Sequence, residues 1–235
     1  IEIIHDLAPG ALISFANAAT DLDMLEAVNF LAARNDIVVD DLGFLFPDDQ
    51  QSAVSRNTAA ALANADWPLR AYVTAVGNWA LRHYEGDYEV GPDGAAALSL
   101  DSAGAVHQFR AEAGVTDALI LVEAPYIEIY LRSGDSTLLV LYWDDPRGAS
   151  TNDNDLFLLS PSGTILEAST EAQGTSVDIP RERLTYTNNG SDGLFRIVVQ
   201  NFRDLATPRR IELFVFDSPK LPNAGTSLNF NLKQS

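Results

Sequence analysis

Between Ala11 and Asn78 three short apolar runs alternate with two helical stretches, and this alternation constrains the fold more than any other feature of the chain. The runs are Ala11-Leu12-Ile13-Ser14-Phe15-Ala16, Asp36-Ile37-Val38-Val39-Asp40-Asp41-Leu42-Gly43 and Ala71-Tyr72-Val73-Thr74-Ala75-Val76-Gly77-Asn78. Between them, Asp21–Arg34 repeats apolar residues at Leu22, Leu25, Val28 and Leu31 behind a Thr20 or Asp21 cap, and Ser52–Ala65 is a second helical stretch stopped by Asp66-Trp67-Pro68. Such spacing is that of amphipathic helices. Strand, helix, strand, helix, strand implies right-handed crossovers and a parallel sheet. Its last run is rich in β-branched and aromatic residues and stops at Gly77-Asn78, which places an amide at the carboxyl end of a buried strand. Ligands of open α/β sheets sit at that end. An Asn there serves either as a donor to a developing negative charge or as an ordinary turn residue.

Upstream, Ile1 to Leu7 is amphipathic and Ala8-Pro9-Gly10 ends it, because Pro9 breaks the helix and Gly10 turns the chain. The opening residues carry neither a Met nor a basic region and read as the middle of a helix, so the chain is expected to be a fragment without its own signal peptide. After Tyr88 the period changes. Gly91-Pro92-Asp93-Gly94 marks a turn or linker, and the short runs Ala118–Val122, Tyr126–Leu131, Thr137–Trp143, Leu156–Leu159, Leu194–Gln200 and Ile211–Phe216 follow. Turn clusters such as Ser133-Gly134-Asp135 and Ser160-Pro161-Ser162-Gly163 separate them, the pattern of an antiparallel β-sandwich. The expected organisation is an α/β part over 1–90, a β-sandwich over 91–220, and a return segment over 221–235.

The 235 residues include 33 Asp and Glu against 15 Lys and Arg, for a formal net charge of -18. A chain so acidic lacks the basic face that phosphates require, which argues against a nucleic-acid partner. No run approaches the roughly 20 apolar residues of a membrane span. The absence of Cys excludes disulfides and thiolate metal sites.

Three segments, in order, resemble the central part of the subtilisin-like serine proteases. His5-Asp6-Leu7-Ala8-Pro9-Gly10-Ala11 is similar to the helix exit and Ala-Pro-x-Ala turn of that family. Asp36–Gly43 is similar to its buried strand ending in Ser-Leu-Gly, with Asp41 in place of Ser, and Tyr72–Asn78 is similar to its strand ending in Ala-Gly-Asn. The resemblance covers about a third of the chain, and its wording at residues 2–11 and 82–86 looks like a divergent bacterial branch. It implies a secreted or cell-surface enzyme acting on protein or peptide substrates, with Asn78 as the side-chain donor of the oxyanion hole. By the same resemblance Asp41, Leu42, Gly43, Ala75, Val76 and Gly77 line the pocket for the substrate side chain. Asp41 either biases that pocket towards basic side chains or is a solvated carboxylate at a strand end.

The family's catalytic aspartate and histidine precede the stretch similar to Ile1, so the isolated chain is expected to lack both and to be inactive. Gly225-Thr226-Ser227 begins like the family's Gly-Thr-Ser-x-Ala-x-Pro, but Leu228-Asn229-Phe230-Asn231-Leu232 follows. That is a strand pattern, not a helix start, and Ser227 reads as a turn residue, with the nucleophile expected beyond Ser235. His5 beside Asp6 is badly placed for a dyad, since helix neighbours point about 100° apart. His83 and His107 have no partner at metal-ligand spacing, and all three histidines read as structural.

The second half resembles the pre-peptidase C-terminal type of β-sandwich, through Leu139–Pro146 and Asn152–Leu159. Asp144, Asp145, Asn152, Asp153 and Asp155 place several oxygens in adjacent loops. Hard oxygen donors suit Ca²⁺, with Asp144, Asp145, Asp153 and Asp155 as ligands; the other reading is that Asx side chains build tight turns there. A rival function is carbohydrate or surface binding by the sandwich. Strand parity sets Ile127, Ile129 and Leu131 on one face and Tyr126, Glu128 and Tyr130 on the other, and Tyr142 and Trp143 on opposite faces of their strand.

Overall fold

A computed structural model describes residues 2–42, 52–75, 83–91, 98, 100, 104–109, 124–146, 148–173, 179–202 and 209–216. The chain divides into two compact units, Ile1–Gly77 and Asn78–Ser235. The division falls earlier than residue 90 because the strand His83–Asp87 pairs within the second unit.

In the first unit α1 (Glu2–Leu7) ends at the expected turn, with Ala8 N–H on the Ile4 carbonyl and Ala11 N–H on that of Ala8. α2 (Asp21–Ala32) begins at a capping box. Thr20 Oγ1 accepts from Asp23 N–H at 3.2 Å, and Asp23 Oδ2 accepts from Thr20 N–H at 2.9 Å. Two of the helix's orphan donors are thereby satisfied. β1 (Ile37–Asp40) follows, then α3 (Ala53–Ala63), capped by Ser52, then β2 (Ala71–Thr74). β1 and β2 are parallel, in the register Ile37↔Ala71 to Asp40↔Thr74. Met24, Val28 and Ala32 of α2 pack on Val38, Ala61 and Leu69, with Trp67 and Tyr72 beside them. Val38 therefore faces the helices, while Ile37, Val39 and Val73 are exposed.

The run Ala11–Ala16 is not the strand that its composition suggests. Residues 11–18 carry no regular structure, and Leu12 and Phe15 are 95% and 83% exposed. A strand is held by ladder partners as much as by its own sequence, and none pairs with this run among the described residues.

The second unit is two antiparallel sheets. One has the order β3 (His83–Asp87), β11 (Arg210–Phe216), β6 (Ser136–Trp143), β9 (Arg181–Thr187). The other runs β4 (Ala105–Val106), β10 (Gly193–Asn201), β7 (Asn154–Leu159), β8 (Ile165–Ser169), with β5 (Ile127–Leu131) also on β10. One core joins them: Leu139, Leu141 and Trp143 of β6 and Leu213 of β11 meet Leu156 and Leu158 of β7 and Ile197 and Val199 of β10. Alternation assigns the rest to outer faces, and Phe157, Leu159 and Val198 are covered by Leu98, Leu100 and Val106. Gly134 and Gly163 sit at φ +88° in two of the expected turns, a conformation that costs other residues a Cβ clash. The run Ala118–Val122 lies outside the described residues.

Candidate functional site

The two parallel strands end level with each other, and Asp40 ties the ends together. Its Oδ1 accepts from Thr74 Oγ1 at 2.9 Å and from Leu42 N–H at 3.2 Å, while its carbonyl accepts from Ala75 N–H at 3.2 Å. Asp41 and Leu42 thus leave β1 beside the point where Ala75 leaves β2, and all three are exposed. Three residues expected at the pocket are brought to adjacent strand ends. Gly43, Val76, Gly77 and Asn78 lie outside the described residues.

A cavity of about 260 Å³ opens beside these ends, between residues 15–18, α2 and β1. Met24, Val28 and Val38 form apolar wall, and Asp40, Asp41 and Leu42 reach it from the strand end. Tyr72 also lines it, and burial, then the neighbouring Asp40 carboxylate, push its phenol well above its usual range, so it stays a neutral O–H. The combination is an apolar wall with two carboxylates. Asp40 escaped the sequence reading as a site residue; an Asp closing a strand beside a Thr in the neighbouring strand was the available signal.

None of the three histidines lines this cavity. His5 is exposed on α1, and His83 lies 3.7 Å from Glu212 on the second unit's sheet. His107 is fully buried among Tyr84, Tyr88 and Phe109. Glu89 N–H donates to its Nδ1 at 3.1 Å, so the proton resides on Nε2, which donates to Tyr84 Oη at 3.0 Å. Burial pushes its pKa down to about 3. A folded value below the unfolded one means that the stabilisation is present above the unfolded pKa, near 6.5, and is lost as pH falls towards 3. His107→Gln is expected to be less stable than wild type at pH 7 by about 1–3 kcal/mol, for the lost buried contacts. That difference is expected to shrink by about 1.4 kcal/mol per pH unit below 6.5, as read from urea midpoints across the pH series.

The calcium set expected at Asp144, Asp145, Asp153 and Asp155 is not assembled. Among the described residues no group of three or more His, Asp or Glu is arranged to hold a metal ion. Asp145 spends its oxygens on the loop that follows β6, accepting from Ser150 Oγ at 2.9 Å, from Thr151 and Asn152 N–H at 2.8 Å each, and pairing with Arg209 at 2.5 Å. Burial raises its pKa, but the donors from Asn152, Ser150 and Thr151, and the Arg209 charge, outweigh burial and hold it below the usual range. Asp144 is exposed and accepts from Arg210 N–H at 3.1 Å. The turn-building reading describes these two residues.

Nor do the aromatics form a flat platform. Tyr126 is covered by the Arg196 guanidinium at 4.6 Å from its ring centre, and Tyr130 donates to Asp192 at 3.2 Å. Tyr142 and Trp143 are both buried, with Trp143 Nε1 on Ser150 Oγ at 3.2 Å. The parity of β5 is as expected, with Ile127, Ile129 and Leu131 inside.

No family model and no curated protein matches this chain. Among solved structures it is similar to the CspB protease of Clostridium perfringens, at TM-score 0.45 and 12% identity, over 85% of this chain and 40% of that one. It is also similar to DesR, a β-glucosidase from Streptomyces venezuelae solved with D-glucose, at TM-score 0.35 and 10% identity, over 84% and 24% of the two chains. The chain thus spans less than half the length of either. The likeness to a protease is weak and carries no argument about activity; the residues must carry it.

Proposed function

We propose that this chain forms the substrate-side wall of a serine-type peptide hydrolase. Asn78 Nδ2 donates to the oxyanion formed when a serine Oγ attacks the scissile carbonyl. The carbonyl electron pair moves onto oxygen, returns as the amine leaves with a proton from the general acid, and an acyl-enzyme remains for water to release. The serine is one other than Ser227. The observation that carries the reading is the level ending of β1 and β2, Asp40↔Thr74, with Ala75 N–H on the Asp40 carbonyl. Asn78 follows three residues after Ala75 in the sequence.

Asp41 and Asp40 make that mouth acidic, and the substrate class proposed is a peptide with a basic residue before the scissile bond. In a polypeptide carrying this chain together with its serine nucleophile, chromogenic peptides ending in Arg or Leu test the assignment. Asp41→Ser is expected to lower the Arg-over-Leu ratio of kcat/KM about two- to fivefold, the worth of an exposed ion pair. An unchanged ratio removes Asp41 from the pocket. Turnover that survives a serine-directed phosphonate contradicts the reaction type.

A further inference from the structure

The second unit holds a group of buried carboxyl groups that the proposed reaction does not use. Glu182, at the start of β9, is 2% exposed, and Asp153 and Asp155, before and on β7, are 5% and 6% exposed. Glu182 is the clasp between the two sheets at one edge. Ser169 Oγ, from the end of β8, donates to its Oε2, and Gln173 Nε2 donates to its Oε1. Gln173 N–H donates to Asp153 Oδ1 at 3.0 Å, and Arg183 N–H donates to Ser169 Oγ at 3.1 Å. One amide and one hydroxyl thus fasten the edge strand of one sheet to the edge strand of the other through a single carboxyl group.

The charges that act on Glu182 and Asp155 are carboxylates, while Arg181 and Arg183, which flank Glu182 on β9, act on Tyr142. Asp153 and Asp155 face the clasp from the β7 side, and Glu171 from the segment after β8. Opposite Glu182, β6 presents Leu141; opposite Asp155, β10 presents Gln200. The Tyr88 phenol, raised by burial, also feels Asp155. Among the described residues no basic group contributes at either Asp155 or Glu182, and no metal-holding group exists. One further atom is out of balance. Gln173 is more than nine-tenths buried, its backbone N–H donates to Asp153 and its side-chain Nε2 to Glu182, and its Oε1 has no hydrogen-bond partner. A buried acceptor among carboxylates lacks a donor, and a carboxyl O–H is the donor that this cluster can itself supply.

We propose that this seam between β8 and β9 is gated by protons: it is fastened while the Asp155 and Glu182 carboxyls are protonated, and it loosens when both ionise. Buried like charges without a counter-ion repel and are costly to desolvate, and burial followed by Asp153 raises Asp155 to about 7 while burial raises Glu182 to about 6. Both folded values lie above the unfolded ones. Their stabilisation is therefore complete below about pH 4 and is lost as pH rises through 6 to 7. The seam closes in acid and opens towards alkaline pH, independently of the peptide-hydrolase reading.

Hydrogen exchange on the intact chain tests this, as protection factors at pH 5 and pH 8 for the Gln173 and Arg183 amides, with Val198 in the middle of β10 as the reference. Protection at Gln173 and Arg183 is expected to fall at least tenfold from pH 5 to pH 8, with Val198 changing far less. Glu182→Gln is expected to keep both amides protected at pH 8, and Asp155→Asn, a second route should Glu182→Gln fail to fold, is expected to reduce the fall. A flat profile in the wild type, an equal fall at Val198, or the same fall in both variants would overturn the proposal. Recovery of protection at pH 8 on adding calcium chloride would overturn it too, by assigning the cluster to a cation instead of protons.

Discussion

Replacing Asn78 with alanine is expected to lower kcat for peptide hydrolysis by about 10²–10³-fold, or 2.7–4 kcal/mol of transition-state stabilisation, in a polypeptide carrying this chain and its serine. KM is expected to change little, because the ground-state carbonyl gains little from a donor aimed at the tetrahedral oxyanion. An oxyanion donor acts on the charge that develops in the transition state, which is why its loss falls on kcat. Asn78→Asp is expected to lose at least as much, since it keeps the size of the side chain while exchanging the donor for a negative charge. A loss in KM with kcat intact would make Asn78 a substrate contact only. Full activity in Asn78→Ala would remove it from the reaction.

Asp145→Ala is expected to cost the β-sandwich about 3–5 kcal/mol, the range for removing one partner of a buried ion pair. The Asp145 side chain is fully buried, while that of Arg209 is one-quarter exposed. Truncation leaves Arg209 unpaired and strands the Thr151 and Asn152 N–H groups, each of which donates to Asp145 at 2.8 Å. Ser150→Ala keeps the Asp145–Arg209 pair but leaves the buried Trp143 Nε1–H without its acceptor, and is expected to cost about 1–3 kcal/mol. Urea unfolding of the sandwich transition separates the two variants. A loss under about 1 kcal/mol for Asp145→Ala would mean that the loop closes without its carboxylate.

Central strands were legible in the sequence, whereas of the edge strands only β5 was. The runs at Thr137–Trp143, Leu156–Leu159, Leu194–Gln200 and Ile211–Phe216 became β6, β7, β10 and β11, which sit inside their sheets. The strands that no apolar run announced are β3, β4, β8 and β9, and each lies at a sheet edge. The physical reason is burial. Arg181-Glu182-Arg183-Leu184-Thr185-Tyr186-Thr187 places only alternate residues inwards, and β8 buries almost nothing, so neither needs a continuous apolar run. Ala11–Ala16 failed in the opposite sense: it has the composition of a buried strand but no ladder partner. At the site, the order of the parallel strands followed from the alternation of elements, but the expected burial of the second strand did not: Val73, Thr74 and Ala75 are exposed. The Asp145 network did not, because whether a carboxylate in an Asx-rich loop serves a metal or the loop's own N–H groups depends on backbone directions that composition does not encode.

The most direct measurement is a backbone and side-chain amide NMR titration of this chain with a tetrapeptide amide ending in arginine. Saturable shifts are expected at the amides of Asp41, Leu42 and Ala75 and at the Asn78 side-chain NH₂, converging on one dissociation constant and weakened by Asp41→Ser. Shifts confined to residues 79–235, or none at these four positions at saturating peptide, would contradict the claim that the ends of β1 and β2 form a peptide-binding wall.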